Sequence, residues 1–407
     1  MSLINNLEKY SKTLLLNPEE KNNLTSFFSS GFPNISDEEW KYTSLNKIVK
    51  NDFVVEDLPV FDEDNIIDKV SLGFKNKIVF LNGKLVSSPK IDGVTISDFK
   101  SFKSKNNNSI LSLNSSIARN GFSIDVENNT ILNSPIEILF LISSTSNTFL
   151  QYRNQINLGK NSNLKIIENI HSVHENLAFI NHFTQVKCDE NSVFEYNKTQ
   201  NNKDNFSLID TCNIYQESNS TSSVNTLIFG GSFIRNNLNF EQNGENAESN
   251  MNGVSVLSGS QFADNHTFVD HKKSNCRSNE VYKGIYLDKS KGVFNGKIMV
   301  RPESQKIDAF QSNNNLLLSD ESTIDTKPQL EIYADDVKCS HGCTIGQLDK
   351  EALFYMKSRG LAEKEAKALL TYAFTNEAID KISVPEFKDK CEKLIAEKLN
   401  VKLDFNQ

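Results

Sequence analysis

Residues 161–220 read NSNLKIIENIHSVHENLAFINHFTQVKCDENSVFEYNKTQNNKDNFSLIDTCNIYQESNS, and the recurrence of Asn-Ser in this stretch decides the fold. The pairs Asn161-Ser162, Asn191-Ser192 and Asn219-Ser220 are followed by Asn246-Ala247, and their second positions lie 30, 28 and 27 residues apart. Later turns around Ser290 and Ser304 fall at a half-interval of 14. Between the turns stand short β-prone runs such as Leu164–Ile167 and, upstream, Ile136–Ile142. Helical periodicity is absent, so no crossover helices are on offer to join parallel strands. Strands at a fixed interval without such helices fit a solenoid whose coils stack on one another. A β-sandwich also has regularly spaced short strands, but some 220 residues of unbroken strand exceed one sandwich. The chain is therefore read as mainly β, with a parallel solenoid over residues 115–335.

The flanks differ from the core. In residues 1–114, Leu3, Leu7 and Tyr10 repeat on one helical face, a charged turn surrounds Trp40, and Lys77–Val86 is β-rich around Asn82-Gly83. Asn-Gly suits a type I′ hairpin, whose two central residues both need positive φ. This segment is expected to be a mixed, mostly helical domain carrying a β-hairpin. Residues 336–407 are expected to be a C-terminal helical domain. Asp349 can cap a helix over Lys350–Arg359, with Gly360 as its stop. Ala366, Leu369, Leu370, Ala373 and Phe374 mark an apolar stripe on a second helix. Ser383-Val-Pro-Glu386 reads as a capping box opening a third, with Phe387, Cys391, Leu394 and Ile395 on its buried face. Three short helices bury little alone and should lean on the solenoid's end or on a partner.

Composition narrows the partners. The 407 residues carry a formal net charge of −8 without a basic block, so neither nucleic acid nor an acidic membrane surface is expected. The apolar runs are far shorter than the ~20 residues a membrane-spanning helix needs. Residues 1–20 do not read as a secretory signal, and the expected location is cytoplasmic. Six scattered cysteines then read as reduced thiols rather than a disulfide framework.

Chemistry is concentrated in Leu316–Gly346, LLLSDESTIDTKPQLEIYADDVKCSHGCTIG. Cys339, His341 and Cys343 alternate, so on a strand their side chains share one face and are candidate metal ligands. His171, His174 and His182, and likewise His266 and His271, lack acidic or thiol companions in sequence and read as solvated solenoid faces. Gly230-Gly231-Ser232 is neither a phosphate loop nor a nucleophile elbow. Asp335-Asp336-Lys338 is the one stretch that could serve a β-helix enzyme acting on polysaccharide, the alternative reading; simple iron or zinc storage is a third.

The same region carries a resemblance. Residues 324–342, IDTKPQLEIYADDVKCSHG, followed by Ile345-Gly346-Gln347-Leu348-Asp349 and Ala352-Leu353-Phe354-Tyr355, resemble the SufD family, accessory scaffold subunits of the bacterial SUF iron–sulfur cluster assembly system. Gly31-Phe32-Pro33 with Asp37–Thr43 resembles that family's N-terminal signature. The resemblance implies a right-handed parallel β-helix and a non-catalytic subunit. It would pair with a SufB-like sister subunit and bind a SufC-like ATPase through its C-terminal helices. It places Cys339 and His341 at the sister-subunit interface where a cluster assembles, while Cys343 stands where the family commonly has alanine. Gln311-Ser312-Asn313 occupies the strand on which SufB-like chains carry a cysteine. For ATPase docking the candidates are Phe354, Tyr355, Met356 and Arg359, residue types common among interface anchors. No tightly bound cofactor is expected in the isolated chain. A transient iron–sulfur cluster is expected in the complex, with a reduced flavin there and a homodimer of the isolated chain left open.

Overall fold

The computed structural model describes residues 2–55, 58–61, 64–99, 101–104 and 108–399. The N-terminal helices are α1 (Leu3–Ser11), α2 (Pro18–Ser30), α3 (Asn46–Val49) and α4 (Asp64–Val70). Leu3 and Leu7 of α1 are buried, as their spacing requires. Asn17 and Glu20 close a reciprocal capping box on α2, and Pro18 fills its first turn. Next come β1 (Lys77–Leu81), β2 (Lys84–Ser87), β3 (Val94–Asp98) and α5 (Ser109–Ile117). Asn82 and Gly83 take φ values of 49° and 87°, the two positive angles the hairpin turn needs.

The remaining strands run in order. They are β4 (Phe122–Val126), β5 (Ile136–Ile142), β6 (Thr148–Leu158), β7 (Asn163–Ser172), β8 (Ala178–Cys188), β9 (Val193–Gln200), β10 (Phe206–Gln216) and β11 (Thr221–Ile228). After them come β12 (Phe233–Gln242), β13 (Glu248–Leu257), β14 (Phe262–His271), β15 (Arg277–Tyr286), β16 (Lys291–Val300), β17 (Ile307–Leu317), β18 (Thr323–Ile332) and β19 (Val337–Gly346). Even-numbered strands from β4 to β18 form one sheet and odd-numbered strands from β5 to β19 the other, each strand pairing in parallel with the next of its own sheet. The result is a parallel β-solenoid of about eight coils.

The recurring Asn-Ser pairs are the solenoid's corners. Asn161, Asn191, Asn219, Asn246 and Asn275 all sit at φ between 55° and 60°, a left-handed conformation that asparagine tolerates better than other residues with a Cβ. Their amides stack from coil to coil, Asn161 and Asn191 each donating at 2.9 Å to the asparagine one corner earlier. The serine beside each turns inward: Ser162, Ser192 and Ser220 each donate at 2.6 Å to the carbonyl three residues back. Buried Ala247 and Cys276 fill the equivalent positions in later coils.

The interior is a largely apolar column, rich in Ile, Leu, Val, Phe and Tyr and including Phe80, Phe122, Phe140 and Tyr152. At its N-terminal end the column is closed, since β1 joins β5 in parallel and β3 lies antiparallel on β4. The sheets therefore reach back to Lys77, ahead of residue 115, and forward to Gly346, past residue 335. At the other end β18 and β19 are the last strands of their sheets.

The C-terminal helices are α6 (Lys350–Ser358), α7 (Glu363–Ile379) and α8 (Pro385–Lys398). They lie on the solenoid's flank rather than its end. Ile379, Phe387, Cys391 and Ile395 pack against Leu227, Val254, Val256, Val281 and Ile285 on the outer face of β11, β13 and β15. The buried face of α7 is Ala366, Ala368, Thr371, Thr375, Ala378 and Ile379; of the expected stripe Ala366 is buried, Leu369, Leu370 and Phe374 are half-buried, and Ala373 is exposed. The capping box expected at Ser383 does not form. Val384 is the N-cap, and Ser383 instead donates its backbone N–H and its hydroxyl to Glu195 on β9. A tertiary acceptor has taken the side chain from its helix.

Candidate functional site

The open end of the solenoid carries the cysteines and histidine singled out above. Cys339, His341 and Cys343 on β19 register with Ala309, Gln311 and Asn313 on β17, all three buried. They thus continue the inward-facing file of the solenoid into a coil that, among the described residues, no further coil covers. Cys339 is half-buried against the cluster of Ala309, Ile298 and Ile307, while His341 and Cys343 are exposed. Burial, with Asp308 nearby, raises the Cys339 thiol above its ordinary value, so the group is held as a thiol. Cys343 Sγ lies 3.0 Å from Thr326 Oγ1 on β18 and 3.9 Å from Asn313 Oδ1.

These three share a face without converging. Alternate residues on a strand are roughly 6.6 Å apart along its axis, too far for one tetrahedral ion to be bound by all three without side chains turning toward it. Among the described residues the one group of three metal-ligand atoms lying within 4.8 Å of one another is elsewhere: Glu168, His182 and Asp210, all buried. Here the solvated-face reading is overturned for two of the five histidines, His171, His174 and His266 being partly exposed. His182 and His271 are fully buried. His182 Nδ1 lies 3.1 Å from Asp210 Oδ1, and Asn154 Nδ2 is 2.8 Å from Nε2. Tyr196 donates to Glu168 at 2.6 Å, and Lys198 donates to Asp210 at 2.8 Å. Burial works to raise the Asp210 carboxyl, and Lys198 with His182 more than offsets it, holding the group well below the usual carboxylate range. Lys198 supplies the cation this buried group needs. The acidic companions come from neighbouring coils, Asp210 registering directly with His182. Adding the 28-residue interval to position 182 would have found it.

The N-terminal block Asp37–Thr43 is a strap across the outer face of the even-numbered sheet. Trp40 is buried with the Arg235 guanidinium 3.8 Å from its ring centre, and Arg235 pairs with Asp264 at 2.6 Å. Thr43 donates to the same carboxylate. His266 lies 3.0 Å from Asp264 and 3.3 Å from Glu39, and Glu38 pairs with Lys327, the neighbour of Thr326.

On α6, Phe354, Tyr355 and Arg359 are exposed together and Met356 is half-buried. Arg359 lies 5.3 Å from the Tyr355 ring centre and donates to its hydroxyl at 3.1 Å. Beside them a groove of about 430 Å³ is lined by Leu287, Leu318, Leu348 and Leu353. At the solenoid's corner a larger groove of about 720 Å³ gathers Glu248, Arg277, Lys306, Asp308, Asp336 and Lys338.

A family model described as the SUF system FeS cluster assembly SufBD core domain matches residues 140–374, more than half of the chain. The chain belongs to the SufBD family. The SufBD match runs from β5 into α7 and takes in the open end and α6. Similar proteins include the iron-sulfur cluster assembly protein SufD of Escherichia coli, 27% identical over 405 residues that cover 94% of this chain and 93% of that one. A SufBD family protein of Synechocystis is 27% identical over 397 residues, covering 89% and 87%. One from Mycobacterium leprae is 31% identical over 184 residues, covering 43% and 47%. This SufBD chain is thus a homologue of SufD proteins of iron–sulfur cluster assembly. Among its described residues no helix is long and apolar enough to cross a membrane.

Proposed function

We propose that the chain is the accessory scaffold subunit of a SUF assembly complex, pairing with a SufB-like sister subunit and docking a SufC-like ATPase. The observation that carries this is the open end. Stacked-coil proteins cover their termini, because an end coil exposes strand edges and interior side chains. Here one terminus is closed by the hairpin and β3, whereas β19 is exposed along most of its length, with Phe310, Ile332, Tyr333 and Ile345 exposed around it. Such an edge suits a partner's strands. Cys339 and His341 then face that interface, where the cluster, as cargo, belongs to the assembled complex. Phe354, Tyr355 and Arg359 form the ATPase dock in this reading.

The test is co-purification from the native host with and without substitutions. His341→Ala should retain subunit pairing and melting behaviour, since exposed polar substitutions cost about 0.5 kcal/mol or less, yet lower cluster formation in cells. Wild-type cluster formation in that variant would remove the histidine from the chemistry. Cys343→Ala should be near silent. The polysaccharide alternative has one observation in its favour, the corner groove that brings Asp336 and Lys338 beside Arg277 and Glu248. Chain cleavage of acidic polysaccharide by the purified protein, lost in Asp336→Asn, would establish it.

A further inference from the structure

Behind His341 runs a file of polar side chains inside the last coils. Glu280 on β15 registers with Gln311 on β17, and Gln311 registers with His341 on β19. Glu280 and Gln311 are fully buried. Gln311 Nε2 donates to Glu280 Oε2 at 2.7 Å, which fixes the amide and leaves Gln311 Oε1 on its other branch. That oxygen is buried and has no hydrogen-bond partner. Glycine opposite makes room for this arrangement: a Cβ at Gly296 would lie 2.2 Å from Gln311 Nε2. An unpartnered buried carbonyl oxygen is costly and calls for a donor. Neighbouring strands of a sheet lie roughly 4.8 Å apart, so the next side chain of the file, His341, stands beside Gln311.

We propose that Gln311 is a positioning residue for His341, accepting a ring N–H through Oε1 so that one nitrogen holds the proton and the other offers its lone pair at the open end. An oriented imidazole of fixed tautomer is a better metal ligand or proton acceptor than a freely turning one, which is the general role of outer-shell hydrogen bonds. The inference rests on the proposed role of the open end, and it deepens that role by naming what prepares the histidine.

The test uses the full chain labelled with ¹⁵N-histidine, the His341 signals being assigned by their loss in His341→Ala. Long-range nitrogen–proton spectra at a pH where the ring is neutral should show one tautomer, with one protonated and one bare nitrogen. In Gln311→Leu the two signals should move toward each other as the tautomers mix. Glu280→Met, which removes the acceptor holding the Gln311 amide, should give an intermediate result. Averaged signals in the wild-type chain overturn the proposal. So do wild-type signals in a folded Gln311→Leu protein or, if that variant does not fold, in Glu280→Met. Because the readout is the isolated chain, it separates from the cellular assay. Unchanged signals with a defective His341→Ala sink only the positioning role. Shifted signals with a fully active His341→Ala sink only the function.

Discussion

Glu280 carries a pH signature of its own. Burial pushes its carboxyl up to about 7, against an ordinary value of about 4.3 in an unfolded chain. Between those values the folded state keeps the proton and the unfolded state does not, so stability falls as pH rises through the window. Buried His271 acts in the opposite sense. Burial lowers its imidazole to about 4, so the unfolded state binds the extra proton between about 4 and 6.5, and stability rises with pH there. Glu280→Gln isolates the first effect. Its melting temperature relative to wild type should climb from pH 5 to pH 7 and level off above, as followed by calorimetry; a constant difference across that range would show that Glu280 does not titrate there. A second expectation concerns Lys198. Lys198→Met strands the Asp210 and Glu168 carboxylates in the interior, and loss of one partner of a buried pair costs about 3–5 kcal/mol. Denaturant titration should show a loss of that order, with much of it restored in a Lys198→Met, Asp210→Asn double variant. The cysteine-histidine cluster was legible in sequence because alternation on one strand is local. The Glu168, His182 and Asp210 group was not, because its members meet only through stacking of coils, and Gln311 was noticed for the thiol it replaces rather than for the amide it brings.

The corner asparagines were the most legible element, since αL backbone is a requirement that few residue types meet. Replacing one tests the reading. Asn191→Ala should cost about 1–2 kcal/mol through the left-handed conformation, and should also lose the 2.9 Å bond to Asn161. Asn191→Gly keeps the backbone angle and should cost less. Comparison of urea midpoints checks the order, and equal losses would mean that the ladder bond rather than the angle matters. Elements whose ends are set by distant partners were misread. Ser383 carries a good capping sequence, yet Glu195, 188 residues earlier, takes its hydroxyl. The stripe on α7 holds at Ala366 but misses Ala368, Thr371 and Thr375, because the helix packs against a sheet face whose outline its own sequence does not record.

At the scale of the molecule, the regular interval and the length of strand were enough for a solenoid, but not for what lies on its flank. The C-terminal helices cover an apolar outer face that includes Val254, Val256, Val281 and Ile285. Removal of everything after Gly346 should therefore leave a chain that self-associates by light scattering. Phe354→Ala with Tyr355→Ala should stay monodisperse and, if the proposed dock is right, fail to retain a SufC-like ATPase on co-purification. A soluble, monomeric truncation would show that the flank packing is dispensable. The strap around Trp40 holds a further consequence. Its anchors, Thr43 to Asp264 and Glu38 to Lys327, span 221 and 289 residues. During synthesis the strap is made before its seat: Trp40 and Thr43 have no partners until β12 and β14 have emerged, and Glu38 has none until β18 has. Each coil needs only the one before it, so stacking can follow translation from the closed end onward. A segment made before the coils is then among the last to settle, because its docking waits for the strands that carry Arg235, Asp264 and Lys327.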